Sequence, residues 1–119
     1  MKYVLTICEG AEGLETLRDP ERCPQYMAGW MAYTKALIDA GVMAGGTGLQ
    51  LPETATTLRV RDGKREVHDG PYAETKEQLN GFFIINVPDL DAALQWAERV
   101  PLADGGAVEV RPTIVPPGQ

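Results

Sequence analysis

The residues best suited to chemistry stand in the middle of the chain, where Asp69 is followed by Gly70 and Pro71. A carboxylate at the end of a strand, held beside a pocket and partly removed from water, can act as a general acid or base. An aspartate before Gly-Pro is also typical of a turn, in which its side chain accepts hydrogen bonds from backbone N–H groups two residues on. Asp69 is therefore the candidate catalytic residue, with the turn as the alternative.

Charged residues near this segment and at the end of the chain are candidates for binding an anion. Glu74 and Lys76 follow on a polar connector, where Lys76 could hold an anionic group. The alternative is a solvated loop with a surface ion pair worth under about 1 kcal/mol. Arg111, together with Arg59 and Arg61, could present guanidinium groups to a carboxylate, although arginines on edge strands commonly serve to prevent edge pairing. The predicted ligand is a small anionic molecule.

Aromatic residues and the one histidine give weaker signals. Trp30 and Tyr72 could line an apolar cleft, but a tryptophan at helical spacing more often packs in a core. His68 lacks partners at a spacing that would hold a metal. The run Gly45-Gly46-Thr47-Gly48 lacks the Lys-Ser/Thr that completes a phosphate-binding loop. We therefore predict no metal, no nucleotide and no other cofactor.

Composition limits the class of protein. The chain has 119 residues, enough for one domain spanning residues 1–119. Its formal net charge is -6, and an acidic surface is repelled by phosphate backbones and anionic membranes. It has two cysteines, too few for a disulfide framework, and no apolar run of about 18 residues. The sequence predicts a cytoplasmic protein that binds neither nucleic acid nor membrane.

The hydrophobic periodicity predicts two helices separated by strands. Residues 2–8 form an apolar strand, residues 9–20 read as a loop, and helical spacing runs from about residue 24 to Gly41. Asp62-Gly63 predicts a hairpin turn between strands 54–61 and 64–68. A hydrophobic strand over 81–87, a helix capped by Asp89 and a last strand over 107–111 follow. The order β-α-β-β(-β)-α-β is typical of a ferredoxin-like α+β sandwich, an antiparallel sheet with two helices on one face.

Such a sheet leaves its second face uncovered, and an apolar face of that size rarely stays in water. We expect this face to include Leu5, Ile7, one of Phe82 and Phe83, and one of Val108 and Val110, a choice that sequence parity alone leaves open. A second copy of the chain would cover it. The sequence thus predicts a homodimer packed sheet to sheet, which a substitution such as Val108→Lys should disrupt.

The residues from Asp69 to Phe83, DGPYAETKEQLNGFF, resemble the signature D-G-P-F-x-E-x-K-E followed by G-[FY]. This signature marks the DGPF branch of the YCII-related family. The strand KYVL at the start of the chain, the glycine-rich residues 41–49 and VEVRP near the end fit the same family. The resemblance implies a bacterial protein with the dimeric α+β barrel fold, similar to muconolactone isomerase.

The resemblance is compatible with two kinds of function, ligand binding and catalysis. Some relatives are joined to sigma-factor-like regions, which favours regulation or ligand sensing. Others carry a His and Asp pair proposed as catalytic. One line of relatives acts on chlorinated ring-cleavage products. This chain has Tyr72 in place of the signature's Phe, and Trp30 where relatives often place a histidine. His68 and Asp69 are adjacent, so on a strand they point to opposite faces.

Two hypotheses follow from these observations. The first is a small-molecule-binding or regulatory module that acts as a homodimer. The alternative is a cofactor-free acid–base enzyme, similar to an isomerase, lyase or dehalogenase, with Asp69 as the proton-transfer group.

Overall fold

The fold is described by a computed structural model that covers residues 1–118. The elements in chain order are β1 (Lys2–Glu9), α1 (Ala11–Arg18), α2 (Cys23–Asp39), β2 (Met43–Gly48), β3 (Thr56–Arg61), β4 (Lys64–Asp69), β5 (Gln78–Asn86), α3 (Leu90–Ala97) and β6 (Ala107–Pro112). A 3-10 turn over Pro52–Thr54 precedes β3. No helix in the described part of the chain combines the length and apolarity needed to cross a membrane.

Four of the strands form one antiparallel sheet in the order β2-β5-β1-β6. Strands β3 and β4 form a separate two-stranded hairpin inserted between β2 and β5. The buried residues of α2 and α3 pack in one cluster with those of β1 and β5. Leaving the hairpin and α1 aside, this is the ferredoxin-like order, and the predicted α+β fold class is confirmed.

Strand β1 is paired on both sides in the sheet, and burial alternates along it. This alternation shows which face of the sheet the helices cover. Tyr3, Leu5 and Ile7 are buried, whereas the residues between them are only half-buried. The three buried side chains belong to the same core cluster as Trp30 and Leu37 of α2. Because successive side chains of a strand point to opposite faces, one face of β1 packs against helices and the other does not.

Helix α2 begins and ends where its sequence predicts. Pro24 occupies the first turn, where its missing N–H costs no hydrogen bond. After the helix, Gly41 adopts a φ of 72°, a left-handed conformation that glycine reaches without strain. The Gly41 N–H donates to the Ile38 carbonyl at 3.0 Å and the Val42 N–H to the Leu37 carbonyl at 3.1 Å, the pair of bonds that defines a Schellman C-cap.

The predicted loop over residues 9–20 is wrong, because this segment contains helix α1. Gly10 and Gly13 suggested a loop in the sequence. In the structure Gly13 is a buried helical residue, and a Cβ at this position would lie 1.6 Å from a carboxylate oxygen of Glu9. A larger residue here would displace the buried Glu9 side chain, so the glycine reflects this packing and does not mark a loop.

The sequence also assigned residues to the open face of the sheet that lie on the other side. Leu5 and Ile7 are buried in the core cluster that faces the helices, and their register partners Val110 and Val108 pack against this cluster, as Phe83 does. The open face instead carries the half-buried Val4, Thr6, Cys8, Phe82 and Ile84. The substitution Val108→Lys would therefore disturb the helix-facing core.

The hairpin of β3 and β4 stands apart from the four-stranded sheet. Asp62 and Gly63 both have positive φ, 50° and 74°, which confirms the predicted tight turn. Leu58, Val60 and Val67 share one face of the hairpin, and all three are more than half exposed. The radius of gyration is 16.2 Å, against about 13.5 Å for an ordinary domain of this length. A chain of this shape leaves apolar side chains of the hairpin exposed.

The N-cap of α3 gives a first testable prediction. The Asp89 carboxylate accepts a hydrogen bond from the Ala92 N–H at 2.9 Å, which confirms the predicted cap. We expect Asp89→Ala to lower the free energy of unfolding by about 1 kcal/mol, because one N–H of the first turn loses its acceptor.

Urea denaturation measures this change, and Asp91→Ala is the matched control. Asp91 lies in the same first turn without capping it, so its loss should cost only a few tenths of a kcal/mol, as roughly expected for a charge near a helix dipole. Equal effects of the two substitutions would contradict a specific role for the cap.

Candidate functional site

Asp69 lies at the exposed end of the hairpin, as the last residue of β4. It pairs with Thr56 in the ladder, and its carboxylate accepts no hydrogen bond from any residue in the described range 1–118. The neighbouring Gly70 N–H donates to the Ala55 carbonyl at 2.8 Å. The side chain therefore does not cap its own turn, and a catalytic role for Asp69 stays a prediction.

Tyr72, Glu74 and Lys76 lie on the irregular segment that joins the hairpin to β5. The Tyr72 side chain is exposed, and the Arg59 guanidinium stacks 4.8 Å from the centre of its ring. Glu74 and Lys76 are exposed and make no ion pair with residues 1–118. The segment is thus connected to the hairpin through the Arg59–Tyr72 contact.

Arg111 lies on β6, where it is exposed and forms an ion pair with Glu109. Its register partner on β1 is Val4, which places it on the open face of the four-stranded sheet. Across residues 1–118, no hydrogen bond or ion pair joins Arg111 to Asp69 or Lys76. The charged candidates thus make no direct contact with one another in the described part of the chain, and a shared anion site stays a prediction.

The sixth candidate, Trp30, lines a groove between α2 and the β2–β5 side of the sheet. The groove has a volume of about 480 Å³. Its wall is made by aromatic, methionine and aliphatic side chains, among them Trp30, Phe83, Met27, Met31, Ile38 and Met43. Trp30 and Phe83 stack nearly parallel, with ring centres 6.4 Å apart. A flat or extended apolar molecule would find a matching surface here.

Glycines keep the sheet side of the groove open. Gly46 and Gly81 sit where β2 and β5 approach closely: a Cβ at Gly46 would lie 2.4 Å from the Phe82 carbonyl oxygen. Gly48 is different, since a Cβ there would meet nothing within 4 Å. Gly48 pairs with Gly81, which in turn pairs with the inward-facing Ile7. A side chain at position 48 would therefore point to the helix side and enter the groove.

Polar groups are few in the groove lining. Thr34 and Thr47 already donate their hydroxyl hydrogens to the carbonyls of Trp30 and Gly48, at 3.0 and 3.2 Å. Asn80 and Lys35 supply the remaining polar side chains, and no carboxylate belongs to the lining. The groove is thus apolar with a single cation beside it.

A buried carboxylate, Glu9, lies at the end of β1. Its side chain is fully buried, and both carboxylate oxygens accept from the Tyr26 hydroxyl, at 2.6 and 3.0 Å. The Tyr26 oxygen accepts in turn from the Ala103 N–H at 3.1 Å. This chain of hydrogen bonds joins β1, α2 and the segment before β6.

Burial sets the protonation of this pair. Removal from water raises the pKa of the Glu9 carboxyl, and the hydrogen bond from Tyr26 lowers it only in part. The pKa of Tyr26 is raised to about 12, first by burial and then by the adjacent Glu9. No cation of the described residues pairs with Glu9. The protonated, neutral form of the carboxyl is therefore more favoured at Glu9 than at an exposed glutamate.

The sequence interpretation missed both Glu9 and the groove. Glu9 has the same strand parity as Tyr3, Leu5 and Ile7, a signal that it points inward, but the strand was ended at Cys8. The groove residues Met27 and Ile38 recur at the helical spacing that predicts α2, and they are 43% and 58% exposed. The periodicity identified the apolar face of α2 without showing how much of it the sheet would cover.

The raised pKa of Glu9 predicts a pH-dependent stability. The folded state holds the proton more tightly than the unfolded chain, whose Glu pKa is near the ordinary 4.5. This contribution to stability is present below that value and is lost as pH rises through the folded pKa. We therefore expect the free energy of unfolding of the wild type to fall, relative to Glu9→Gln, between about pH 4.5 and neutrality.

Urea denaturation at several pH values measures the difference between the two proteins. Glu12→Gln, which removes the same charge from an exposed position one turn away, should leave the pH dependence unchanged. A constant difference between wild type and Glu9→Gln across this range would contradict the raised pKa.

Comparison with known proteins identifies the family. The family model described as the YCII-related domain matches residues 1–115. An uncharacterised protein of Rhizobium meliloti (strain 1021) is 34% identical over 116 residues, covering 95% of this chain and 94% of the relative. Both matches run through the four-stranded sheet, α2 and the hairpin. The chain belongs to the YCII-related family.

Proposed function

We propose that this protein is a small-molecule-binding module, of the DGPF branch of its family, that takes a mainly apolar molecule into the groove beside α2 and acts as a homodimer. The groove is the observation that carries the proposal. Its volume of about 480 Å³ lies within the roughly 300–1,000 Å³ typical of ligand pockets, which are mostly apolar with a few polar groups.

The exposure of the groove residues supports a binding role. Met31 is 70% exposed and Ile38 58% exposed, on the face of α2 that borders the groove. Methionine side chains are flexible and polarisable, so they adapt to apolar ligands of different shapes. Apolar side chains held at the surface around a concavity favour an interaction site over simple core packing.

The acid–base alternative has less support. Asp69 would need a second functional group to orient a substrate, and none of residues 1–118 lies within hydrogen-bonding distance of its carboxylate. Its hairpin position also separates it from the groove, whose lining does not include it. Binding at the groove is therefore the function that we put first.

Two surfaces support the homodimer. The open face of the sheet carries Val4, Phe82 and Ile84, which no helix of the described chain covers. The hairpin adds the exposed Leu58 and Val67. A second copy packed on the sheet face would remove this apolar surface from water, at about 25 cal/mol for each Å² buried.

Binding at the groove can be tested with an uncharged apolar probe, N-phenyl-1-naphthylamine. The chain has two tryptophans, and Trp96→Phe leaves Trp30 as the only indole reporter. In this background we expect the probe to quench Trp30 fluorescence saturably and to gain fluorescence itself. Gly48→Leu should abolish saturable binding, because the new side chain fills the groove without meeting protein atoms at its Cβ.

Asp69→Asn is the control, since Asp69 lies outside the groove and should leave probe affinity unchanged. Thermal unfolding and circular dichroism show whether each variant is folded. A folded Gly48→Leu protein that binds the probe as well as its parent would overturn the groove proposal.

The homodimer has its own test. Ile84 lies in the middle of the open face, paired with Val4 on β1 and Gly45 on β2. Light scattering should give a dimer for the wild type and a monomer for Ile84→Lys, because a lysine there would have to be buried without a partner.

Gln95→Lys, at an exposed position of α3, should remain dimeric. A dimeric Ile84→Lys protein would show that the sheet face is not the interface. Probe binding by the Ile84→Lys monomer would show whether the groove functions within one chain.

A further inference from the structure

We propose that the ligand of this groove is an amphipathic monocarboxylate, with its apolar body along α2 and its carboxylate on Lys35. This rests on the proposed function and names the ligand class of the same site. The argument comes from the distribution of charge around the groove and from the weakness of the contact that Lys35 makes without a ligand.

Lys35 is the one charged residue in the groove lining of the described chain. It lies on α2 one turn after Met31 and three residues before Ile38, which places it at the edge of the apolar wall. A lysine stem packs along apolar surface while its ammonium stays in water at the edge. A ligand with an apolar body in the groove would place its polar end beside this ammonium.

The present partner of Lys35 is easily replaced. Its ammonium lies 2.5 Å from a carboxylate oxygen of Asp39, one helical turn further on, and the two side chains are 75% and 61% exposed. Exposed ion pairs of this spacing contribute about 0.3–0.5 kcal/mol. A ligand carboxylate held beside Lys35 by its own apolar body can therefore compete with Asp39 for the ammonium.

Asn80 lies at the other end of the groove from Lys35. It adjoins the end of β1, where Glu9 meets Tyr26 near the start of α2, whereas Lys35 lies toward the end of that helix. The ammonium of Lys35 is therefore the group in the lining that favours a carboxylate over an alcohol or an amine.

The test compares octanoate with octanol, which differ in the head group, by Trp30 fluorescence in the Trp96→Phe background. We expect octanoate to bind more tightly than octanol. Lys35→Gln should weaken octanoate about fivefold, the upper end for an exposed ion pair, and should leave octanol unchanged. Asp39→Asn should strengthen octanoate binding, since it frees the ammonium.

Lys64→Gln is the matched control, because it removes the same charge at the exposed hairpin turn, away from the groove. Added salt should weaken octanoate alone. Equal binding of octanoate and octanol, or an unchanged octanoate affinity in Lys35→Gln, would overturn this inference and leave the apolar groove intact. Failure of both molecules and of the uncharged probe to bind would overturn the proposed function, and the inference with it.

Discussion

The packing of β1 against α2 is the contact on which the rest of the structure depends. Strand β1 is paired on both sides, with β5 and β6, and its inward side chains Tyr3, Leu5 and Ile7 are almost completely buried. Because strand side chains alternate, a shift of one residue would turn Val4 and Thr6 toward the helices. The contact therefore fixes which face of the sheet is covered, the position of α2 and the face left open.

The same alternation explains two local features. Glu9 continues the inward parity of β1 and is buried for that reason, although it is charged in water. The fold accommodates the carboxylate with the Tyr26 hydroxyl and with a helix residue, Gly13, that has no Cβ. Burying a carboxylate without a cation costs free energy, so this position links the stability of the protein to pH.

Partial coverage of α2 creates the groove. The helix is 17 residues long, about 25 Å at the usual rise per residue. It packs on the sheet through Trp30, Tyr33 and Leu37, whereas Met31 and Ile38 extend beyond the covered strip. Glycines on β2 and β5 add no side chains on this side. The chain in this way presents an apolar concavity with one cation at its edge.

The sequence by itself determined the elements whose signals are local. The Asp62-Gly63 turn, the Asp89 cap and the end of α2 at Gly41 depend on residues close in the chain, so they were predictable. The order of these elements along the chain then indicated the fold class. Only the tertiary structure decided that Val108 faces the helices and that the Glu9 carboxylate is buried against Tyr26. These outcomes depend on contacts between residues far apart in sequence, such as Glu9 with Tyr26, which periodicity and turn chemistry do not encode.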